Sequence, residues 1–239
     1  MKEVILLAGG LGTRLRSEVD NTPKALAPIQ DHVFLDYLFS YLETQWVDHV
    51  ILALGYESKQ ILDWLKNKAF TFKVSTSLEQ EPLGTGGAIK RALMKSKEKN
   101  VFVMNADTYF PINMQEFLDK VDNNFPICIA LSKEKNPARY GKVFLDKNSI
   151  ITKFEEKNTE LHISEEYFYI NAGTYFINKD ALGLENFNEK FSWETEVLQK
   201  EAKNGRIQGI YMDAPFIDIG IPEDYKKAQT FIPNLHNEE

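Results

Sequence analysis

Cysteine is almost absent from this chain of 239 residues: Cys128 is the only one, so no intrachain disulfide can form. Cys128 lies in an apolar run at 127–131, a position that favours a small buried side chain over a reactive thiol. Long hydrophobic runs are also missing. None approaches the ~20 residues that span a bilayer, and the N-terminal apolar stretch is too short for a signal peptide. We therefore expect a cytoplasmic protein with no membrane partner.

Basic charge is in deficit as well. The chain has 28 lysine and arginine residues against 35 aspartate and glutamate residues, a formal net charge of −7. Proteins that bind nucleic acid nonspecifically usually carry a basic face, so this balance argues against a nucleic-acid partner. It is compatible with a phosphorylated small molecule, because a few local cations, backbone amides and a metal are enough to hold one. The hydrophobic fraction of 43% supports a packed core and argues against disorder.

Apolar runs of strand length alternate with amphipathic helical stretches in the first half of the chain. The pattern predicts strands at 4–8, 50–55, 73–78 and 101–105, and helices at 34–45, 58–68 and 88–95. Continuous apolar strands between helices indicate a parallel sheet covered on both faces. The second half predicts strands at 127–131, 142–146, 150–155, 168–177, 208–212 and 215–218, and helices at 195–203 and from about Glu223. The expected fold is α/β: a doubly wound, mostly parallel, Rossmann-like sheet with a mixed second lobe.

A glycine-rich loop, LAGGLGTRL at 7–15, follows the first predicted strand directly. Glycines let backbone N–H groups approach a phosphate, and the C-terminal end of the first strand is where such sheets bind ligands. A tight turn would need the same glycines, so they alone leave both interpretations open. A dinucleotide-binding fingerprint fits poorly because Arg14 stands where it needs a third glycine, and a Walker loop would need a Lys-Ser/Thr pair.

Arg14 favours the phosphate-binding interpretation. Its guanidinium can hold a triphosphate bidentately and stabilise pyrophosphate as it leaves. Ten residues later Lys24 follows Pro23, in a position suited to a second phosphate contact.

These segments resemble the N-terminal signature of the sugar nucleotidyltransferases, or NDP-sugar pyrophosphorylases. The resemblance covers nearly the whole chain. Six further motifs match in the family's order: PLGTGGA at 82–88, NADT at 105–108, RYG at 139–141, FEEK at 154–157, NAGTY at 171–175 and DIGIP at 218–222. The family implies a single nucleotidyltransferase domain over 1–239, with a nucleotide-binding lobe at about 1–135 and a sugar-binding, closing lobe at about 136–239.

The resemblance also implies site residues. The catalytic set is Arg14, Lys24 and Asp107. Nucleotide contacts are expected from two glycine-rich segments: Leu7, Ala8, Gly9, Gly10, Gly12, Thr13, Pro82, Gly84, Thr85 and Gly87. Contacts to the sugar phosphate are expected from Gly141, Glu156, Lys157 and Asn171.

Magnesium is the implied cofactor, with Asp107 and Asp218 as its ligands. Each follows or ends an apolar strand, and Mg²⁺ prefers oxygen ligands and keeps several waters, so two carboxylates and phosphate oxygens suffice. Taken singly, either aspartate would more often cap a helix or a turn. The attacking phosphate is already anionic, so the reaction needs positioning and charge neutralisation rather than a base. We accordingly interpret the four histidines as surface or packing residues: His32, His49, His162 and His236.

Three positions depart from the family's pattern. Arg16 replaces a frequent proline and Gly86 a frequent alanine, and neither change removes a charged group that the chemistry needs. Asn158 replaces the proline that follows Glu156-Lys157, which leaves the geometry of that turn open. Trp193 fits either the core or a sugar pocket, and either Ser192 or Thr195 could cap the helix that follows.

Within the family, the compact chain resembles the short bacterial guanylyltransferases of surface-polysaccharide synthesis. This implies transfer of GMP from GTP to a sugar 1-phosphate, first of all D-glycero-α-D-manno-heptose 1-phosphate, to give GDP-heptose. Mannose 1-phosphate is the alternative acceptor, and thymidylyl or uridylyl transfer to glucose 1-phosphate comes third. No sequence rule separates purine from pyrimidine here. The oligomeric state is open, a homodimer through the second lobe being one option.

Other classes of protein fit less well. A nucleotide-sugar binding protein without turnover would keep the loop but lose a metal carboxylate, and both aspartates are present. A nicotinamide oxidoreductase would need an acid at the end of its second strand, for which Glu57 is the nearest candidate. A retaining glycosyltransferase could share the fold and an aspartate-centred metal site but would lack the GGLGTR loop.

Overall fold

A computed structural model describes residues 2–10, 12, 15, 18–19, 21–66, 68–135, 140–155 and 167–237 of the chain. Its α-helices are α1 (Phe34–Thr44), α2 (Ser58–Lys66), α3 (Gly84–Leu93), α4 (Met114–Asp119), α5 (Gln199–Lys203) and α6 (Pro222–Asn237). Its strands are β1 (Glu3–Leu7), β2 (Pro28–Ile29), β3 (His32–Val33), β4 (His49–Leu54), β5 (Lys73–Leu78), β6 (Asn100–Asn105), β7 (Thr108–Tyr109), β8 (Ile127–Glu134), β9 (Lys142–Leu145), β10 (Ile151–Glu155), β11 (Phe168–Asn178), β12 (Ile207–Tyr211) and β13 (Ile217–Asp218).

Four parallel strands form the first half of the main sheet in the order β5-β4-β1-β6. All six residues of β4 are buried, because helices cover both faces of the sheet. On one face Leu38 of α1 belongs to the same core cluster as Leu6 and Leu52. On the other, Ile89 of α3 joins Ile5. The predicted parallel sheet with two covered faces is confirmed.

The sheet contains both parallel and antiparallel strands from β11 onwards, since β11 runs antiparallel to β6. Strand β8 lies along the other edge of β11, and β12 extends the sheet beyond it in parallel. On the side where its second half pairs with β6, the first half of β11 pairs with β9, and β9 pairs antiparallel with β10. One nine-stranded sheet therefore carries both halves of the chain, which confirms the predicted α/β class with a mixed second half.

Several predicted boundaries were wrong. The glycine-rich turn before 88 is the first turn of α3, which begins at Gly84. The single helix predicted at 195–203 is a π-helical turn, Trp193–Leu198, followed by α5. Pairs β2–β3 and β7–β13 and helix α4 were not predicted, and the strand expected at 215–218 is reduced to two residues. No helix in the described ranges is long and apolar enough to cross a membrane.

A bulge in β11 brings the two halves of the sheet together at the end of β6. The register of β11 against β8 shifts between Asn171 and Thr174. Gly173 within the bulge has a φ of +73°, and a Cβ there would lie 2.5 Å from the Asn105 Nδ2. Only glycine fits this contact, which places the β11 bulge beside the last residue of β6.

Candidate active site

The glycine loop lies where the segments after β1 and β4 cross. A Cβ on Gly9 would lie 3.1 Å from the Gly55 backbone nitrogen, and one on Gly55 would lie 2.9 Å from the Gly9 carbonyl oxygen. This close approach explains the glycine at both positions. Gly10 is exposed, and no atom of the residues that the structure describes lies within 4 Å of where its Cβ would be. Its backbone is therefore open to a ligand at the C-terminal end of β1.

Lys24 forms an ion pair with Asp107, with 2.9 Å between the lysine Nζ and the aspartate Oδ2. Lys24 opens a short 3-10 helix, Lys24–Leu26, and its stem crosses the glycine loop. A Cβ on Gly12 would lie 3.1 Å from the Lys24 Cγ. Two residues predicted as catalytic thus meet beside the predicted phosphate loop, although 83 positions separate them in the chain.

The two predicted metal ligands are brought together by the antiparallel pair β7–β13. Asp218 is the register partner of Thr108, and the Ile219 amide donates to the Asp107 carbonyl oxygen at 3.0 Å. The Gly220 amide donates to the Asp218 Oδ1 at 2.6 Å. A Cβ on Gly220 would lie 2.7 Å from that oxygen and 3.5 Å from the Lys24 Nζ. The two carboxylates and the ammonium therefore share one small region.

This donor set suits Mg²⁺. Both candidate ligands are carboxylates, and this ion takes its remaining ligands from waters and phosphate oxygens. Within the described residues no cluster of three or more His, Cys, Asp or Glu side chains could hold a metal. Two carboxylates are enough for magnesium, which prefers oxygen ligands and keeps several waters.

The second glycine-rich segment forms the N-terminus of α3 and packs against the chain at 189–191. A Cβ on Gly84 would lie 2.5 Å from the Phe191 carbonyl oxygen, and one on Gly87 would lie 2.2 Å from the Glu189 carbonyl oxygen. The Thr85 hydroxyl donates to Glu194 at 2.6 Å. Sequence analysis missed this packing role of the α3 glycines, which is additional to the nucleotide contacts predicted for them. Pro82, Gly84 and Thr85 are exposed and remain accessible, while Gly87 is buried.

Glu79 is a candidate functional residue that sequence analysis missed. It follows β5 and is half-buried, with its Oε2 accepting from the Leu83 amide at 3.0 Å. Its Oε1 lies 3.2 Å from where a Cβ on Gly9 would be. Burial raises the pKa of this carboxyl, although the Leu83 amide and Arg91 oppose the shift. The signal in the sequence was an acid directly after a predicted strand, three residues before the Pro-Leu-Gly segment.

Two residues predicted to contact the sugar phosphate, Asn171 and Gly141, are neighbours in space, since the Asn171 backbone amide donates to the Gly141 carbonyl oxygen at 2.9 Å. The Asn171 side chain is fixed at both ends. Its Oδ1 accepts from the Gly173 amide at 3.0 Å, and its Nδ2 donates to the Tyr175 hydroxyl at 2.7 Å. Four further predicted residues lie outside the described part of the chain: Thr13, Arg14, Glu156 and Lys157.

Trp193 packs in the core. Its side chain is fully buried, and its ring stands edge-on to Tyr175 at a centroid distance of 6.0 Å. The Ser192 hydroxyl accepts from the Thr195 amide at 3.2 Å, so Ser192 is the cap. Cys128 is buried as predicted, and burial, with Asp122 nearby, raises the pKa of its thiol to about 12.

Comparison with known proteins gives consistent matches. The sequence profile of the family described as nucleotidyl transferase matches residues 3–234. D-glycero-α-D-manno-heptose 1-phosphate guanylyltransferase of Aneurinibacillus thermoaerophilus is 42% identical over 228 residues, which cover 95% of this chain and 96% of that protein. The protein of the same name from Campylobacter jejuni is 40% identical over 223 residues, or 93% and 96% of the two chains.

The fold also matches solved structures. The crystal structure of HddC from Yersinia pseudotuberculosis superposes with a TM-score of 0.84 and 36% identity over 96% of this chain and 98% of that one. The same protein complexed with GMP-PN gives a TM-score of 0.83.

Proposed function

Because this chain belongs to the nucleotidyl transferase family, we propose that it transfers GMP from GTP to D-glycero-α-D-manno-heptose 1-phosphate, forming GDP-heptose and pyrophosphate. The relatives that carry this activity in their name align with the chain over nearly their whole length at 40% identity or more. The observation that carries the proposal is the convergence of Lys24, Asp107 and Asp218 beside the glycine loop.

The chemistry follows from the charges at this site. An oxygen of the sugar 1-phosphate attacks the α-phosphorus of GTP, and the bond to the leaving pyrophosphate breaks. Both reactants are anions, so catalysis requires in-line positioning and neutralisation of charge. Lys24 and the open backbone amides of the glycine loop would hold the triphosphate, and Arg14 would add a bidentate contact. Asp107 and Asp218 would hold Mg²⁺, which would neutralise phosphate charge.

The sugar phosphate would be held from the second half of the sheet. Gly141 directly precedes β9 and is hydrogen-bonded to Asn171 within β11, and Glu156 and Lys157 follow β10 in the sequence. We propose that these residues contact the sugar hydroxyls and the phosphate. The division into a nucleotide lobe at about 1–135 and a sugar lobe at about 136–239 belongs to the same proposal, as does a cytoplasmic location, where GTP is available.

Glu79 supports guanine as the base. The Watson–Crick edge of guanine presents two adjacent donors, N1–H and the 2-amino group, and a carboxylate can accept from both. The Glu79 Oε1 faces the glycine loop while Oε2 is anchored by the Leu83 amide, so the carboxylate is held in place. Thymine and uracil have only one such donor and would leave part of this half-buried acceptor unpaired.

A pyrophosphate-release assay tests the proposal. Four nucleoside triphosphates (GTP, ATP, UTP and dTTP) are crossed with heptose, mannose and glucose 1-phosphates in the presence of Mg²⁺. The highest kcat/KM is expected for GTP with D-glycero-α-D-manno-heptose 1-phosphate. A higher kcat/KM with mannose 1-phosphate would make that sugar the preferred acceptor in place of the heptose. The absence of pyrophosphate release with every pair would refute the enzyme activity.

Variants test the roles of the aspartates in the same assay. Asp107→Ala and Asp218→Ala should each lower turnover by about 10²-fold or more, since each would remove ~3 kcal/mol of transition-state charge stabilisation. Arg14→Ala is expected to act similarly. Asp63→Ala on α2 is the control, because Asp63 is an exposed partner of Lys66. Near-normal rates in the first two variants would exclude these residues as metal ligands.

A further inference from the structure

The ammonium of Lys24 lies where the two candidate metal ligands meet. Its Nζ is 2.9 Å from the Asp107 Oδ2, and the side chains are only 21% and 30% exposed. The same Nζ lies against Gly220, which also contacts the Asp218 Oδ1. One cation of the chain itself therefore already lies beside the carboxylate pair.

This arrangement has an electrostatic reason. Two partly buried carboxylates held side by side repel each other unless a cation lies near them. Lys24 supplies that positive charge. A divalent cation bound at Asp107 would meet an ammonium at hydrogen-bonding distance from the same oxygen, and two cations at such a separation repel strongly. Lys24 and a metal therefore compete for the Asp107 Oδ2.

The Lys24 side chain also lies close to the glycine loop. The stem of Lys24 passes over Gly12, with Cγ 3.1 Å and Cε 3.8 Å from where a Cβ on Gly12 would be. Gly12 leaves room for this stem because it has no side chain, and a flexible four-carbon stem lets the ammonium choose between Asp107 and an anion on the glycine loop. A triphosphate bound on that loop would offer the ammonium new anionic partners and free Asp107.

We propose that Lys24 is a built-in counter-ion that keeps divalent cations off Asp107 and Asp218 until a nucleoside triphosphate draws its ammonium away. Metal and nucleotide then bind with positive coupling, since each removes an obstacle to the other. The identity of the nucleotide rests on the proposed function, whereas the exclusion of the metal by Lys24 concerns the nucleotide-free protein alone.

The test measures Mn²⁺ binding by electron paramagnetic resonance with no nucleotide present. Lys24→Met removes the charge and keeps the stem, so it should tighten Mn²⁺ binding by about tenfold or more. Lys24→Gln is a second uncharged variant, should the first not fold. Lys24→Arg keeps a cation and should bind Mn²⁺ as weakly as the unaltered protein. Lys66→Met, which removes an exposed lysine paired with Asp63, is the control for net charge.

Two outcomes would overturn the proposal: folded uncharged variants that bind Mn²⁺ no more tightly than the unaltered protein, or a gain that Lys24→Arg shows equally. Adding Asp107→Asn to Lys24→Met should abolish the gain in Mn²⁺ affinity, because the ion would lose its carboxylate ligand. A gain in affinity that persists in the double variant would also contradict the proposal. Circular dichroism checks folding of each variant. These measurements involve no turnover, so a failed pyrophosphate-release assay would refute the proposed function without deciding the role of Lys24.

Discussion

Glu79 is a half-buried carboxylate between the glycine loop and the start of α3. Its hydrogen bond from the Leu83 amide fixes the orientation of the side chain, while burial raises the pKa of the carboxyl. A carboxylate in such a position accepts from the guanine edge only when it is ionised. Under the proposed function, protonation of Glu79 would therefore link GTP binding to pH.

Glu79→Gln should lower kcat/KM for GTP by about 10- to 100-fold, the cost of losing a bidentate base contact of 1–3 kcal/mol. Glutamine keeps the size and one acceptor for the Leu83 amide, but its NH₂ would face the donors of guanine. The kcat/KM values for UTP and dTTP should not fall in parallel. The assay is pyrophosphate release with each nucleotide, and Glu81→Gln, an exposed neighbour, is the control.

The pH dependence gives a second measure of the same residue. As pH falls towards the raised pKa of Glu79, the proportion of ionised carboxylate decreases, so KM for GTP should rise. The Glu79→Gln variant has no titrating carboxyl at this position, so its KM for GTP should not show this rise at lower pH. An unaltered nucleotide preference in this variant would show that Glu79 does not contact the base.

At the level of elements, helix α3 depends on the 189–191 segment. A Cβ on Gly86 would lie 2.2 Å from the ring of Phe191, which is buried and packed against Phe187 at a centroid distance of 4.8 Å. The ring therefore cannot move aside without losing contacts. Phe191 gives a physical reason for glycine at a position where the family frequently has alanine.

Gly86→Ala should destabilise the protein by about 1–3 kcal/mol, the typical cost of overpacking, measured by urea unfolding. Combining it with Phe191→Leu should recover part of that loss, because the smaller side chain leaves room for the methyl group. Gly10→Ala is the matched control and should leave stability nearly unchanged, since no atom in the described part of the chain lies within 4 Å of its Cβ position. If the double variant lost as much free energy of unfolding as the two single variants together, this explanation would be contradicted.

At the scale of the whole molecule, a buried polar network closes the end of the sheet opposite the candidate site. The His49 Nδ1 lies 2.9 Å from the Glu3 Oε1, and its Nε2 lies 2.8 Å from the Ser75 Oγ, which links β1, β4 and β5. Glu3 also accepts hydrogen bonds from the Ser96 hydroxyl and from the backbone after α3. Burial alone would raise the pKa of Glu3, but these hydrogen bonds lower it to about 2.

The free energy of unfolding should consequently decrease at acidic pH, because Glu3 becomes protonated there. The folded-state pKa lies below the ordinary value of 4.5, so the contribution is complete above that pH and is lost as pH falls towards about 2. The shift corresponds to roughly 3 kcal/mol. Urea unfolding at pH 6 and pH 3 should show a smaller difference for Glu3→Gln than for the unaltered protein. Glu81→Gln should keep the full difference, and equal differences in all three proteins would refute the assignment.

The sequence by itself determined the fold class and most of the candidate site. Buried strands such as β4 are continuous apolar runs, and the loop after β1 has a local pattern of glycines and cations, so both can be recognised within a few residues. Lys24, Asp107 and Asp218 were predicted from such local patterns together with the family resemblance, and the structure brings them together.

Only the tertiary structure decided how distant segments meet. Helix α3 begins at Gly84 rather than 88 because its glycines allow contact with a segment more than 100 positions away, which no local periodicity reports. Glu79 became a candidate only through its burial beside Gly9. The order β5-β4-β1-β6-β11-β8-β12 likewise joins by backbone hydrogen bonds strands that are distant in the sequence. Hydrophobic period and turn chemistry act between neighbours in the chain, whereas close approach, burial and charge pairing depend on neighbours in space.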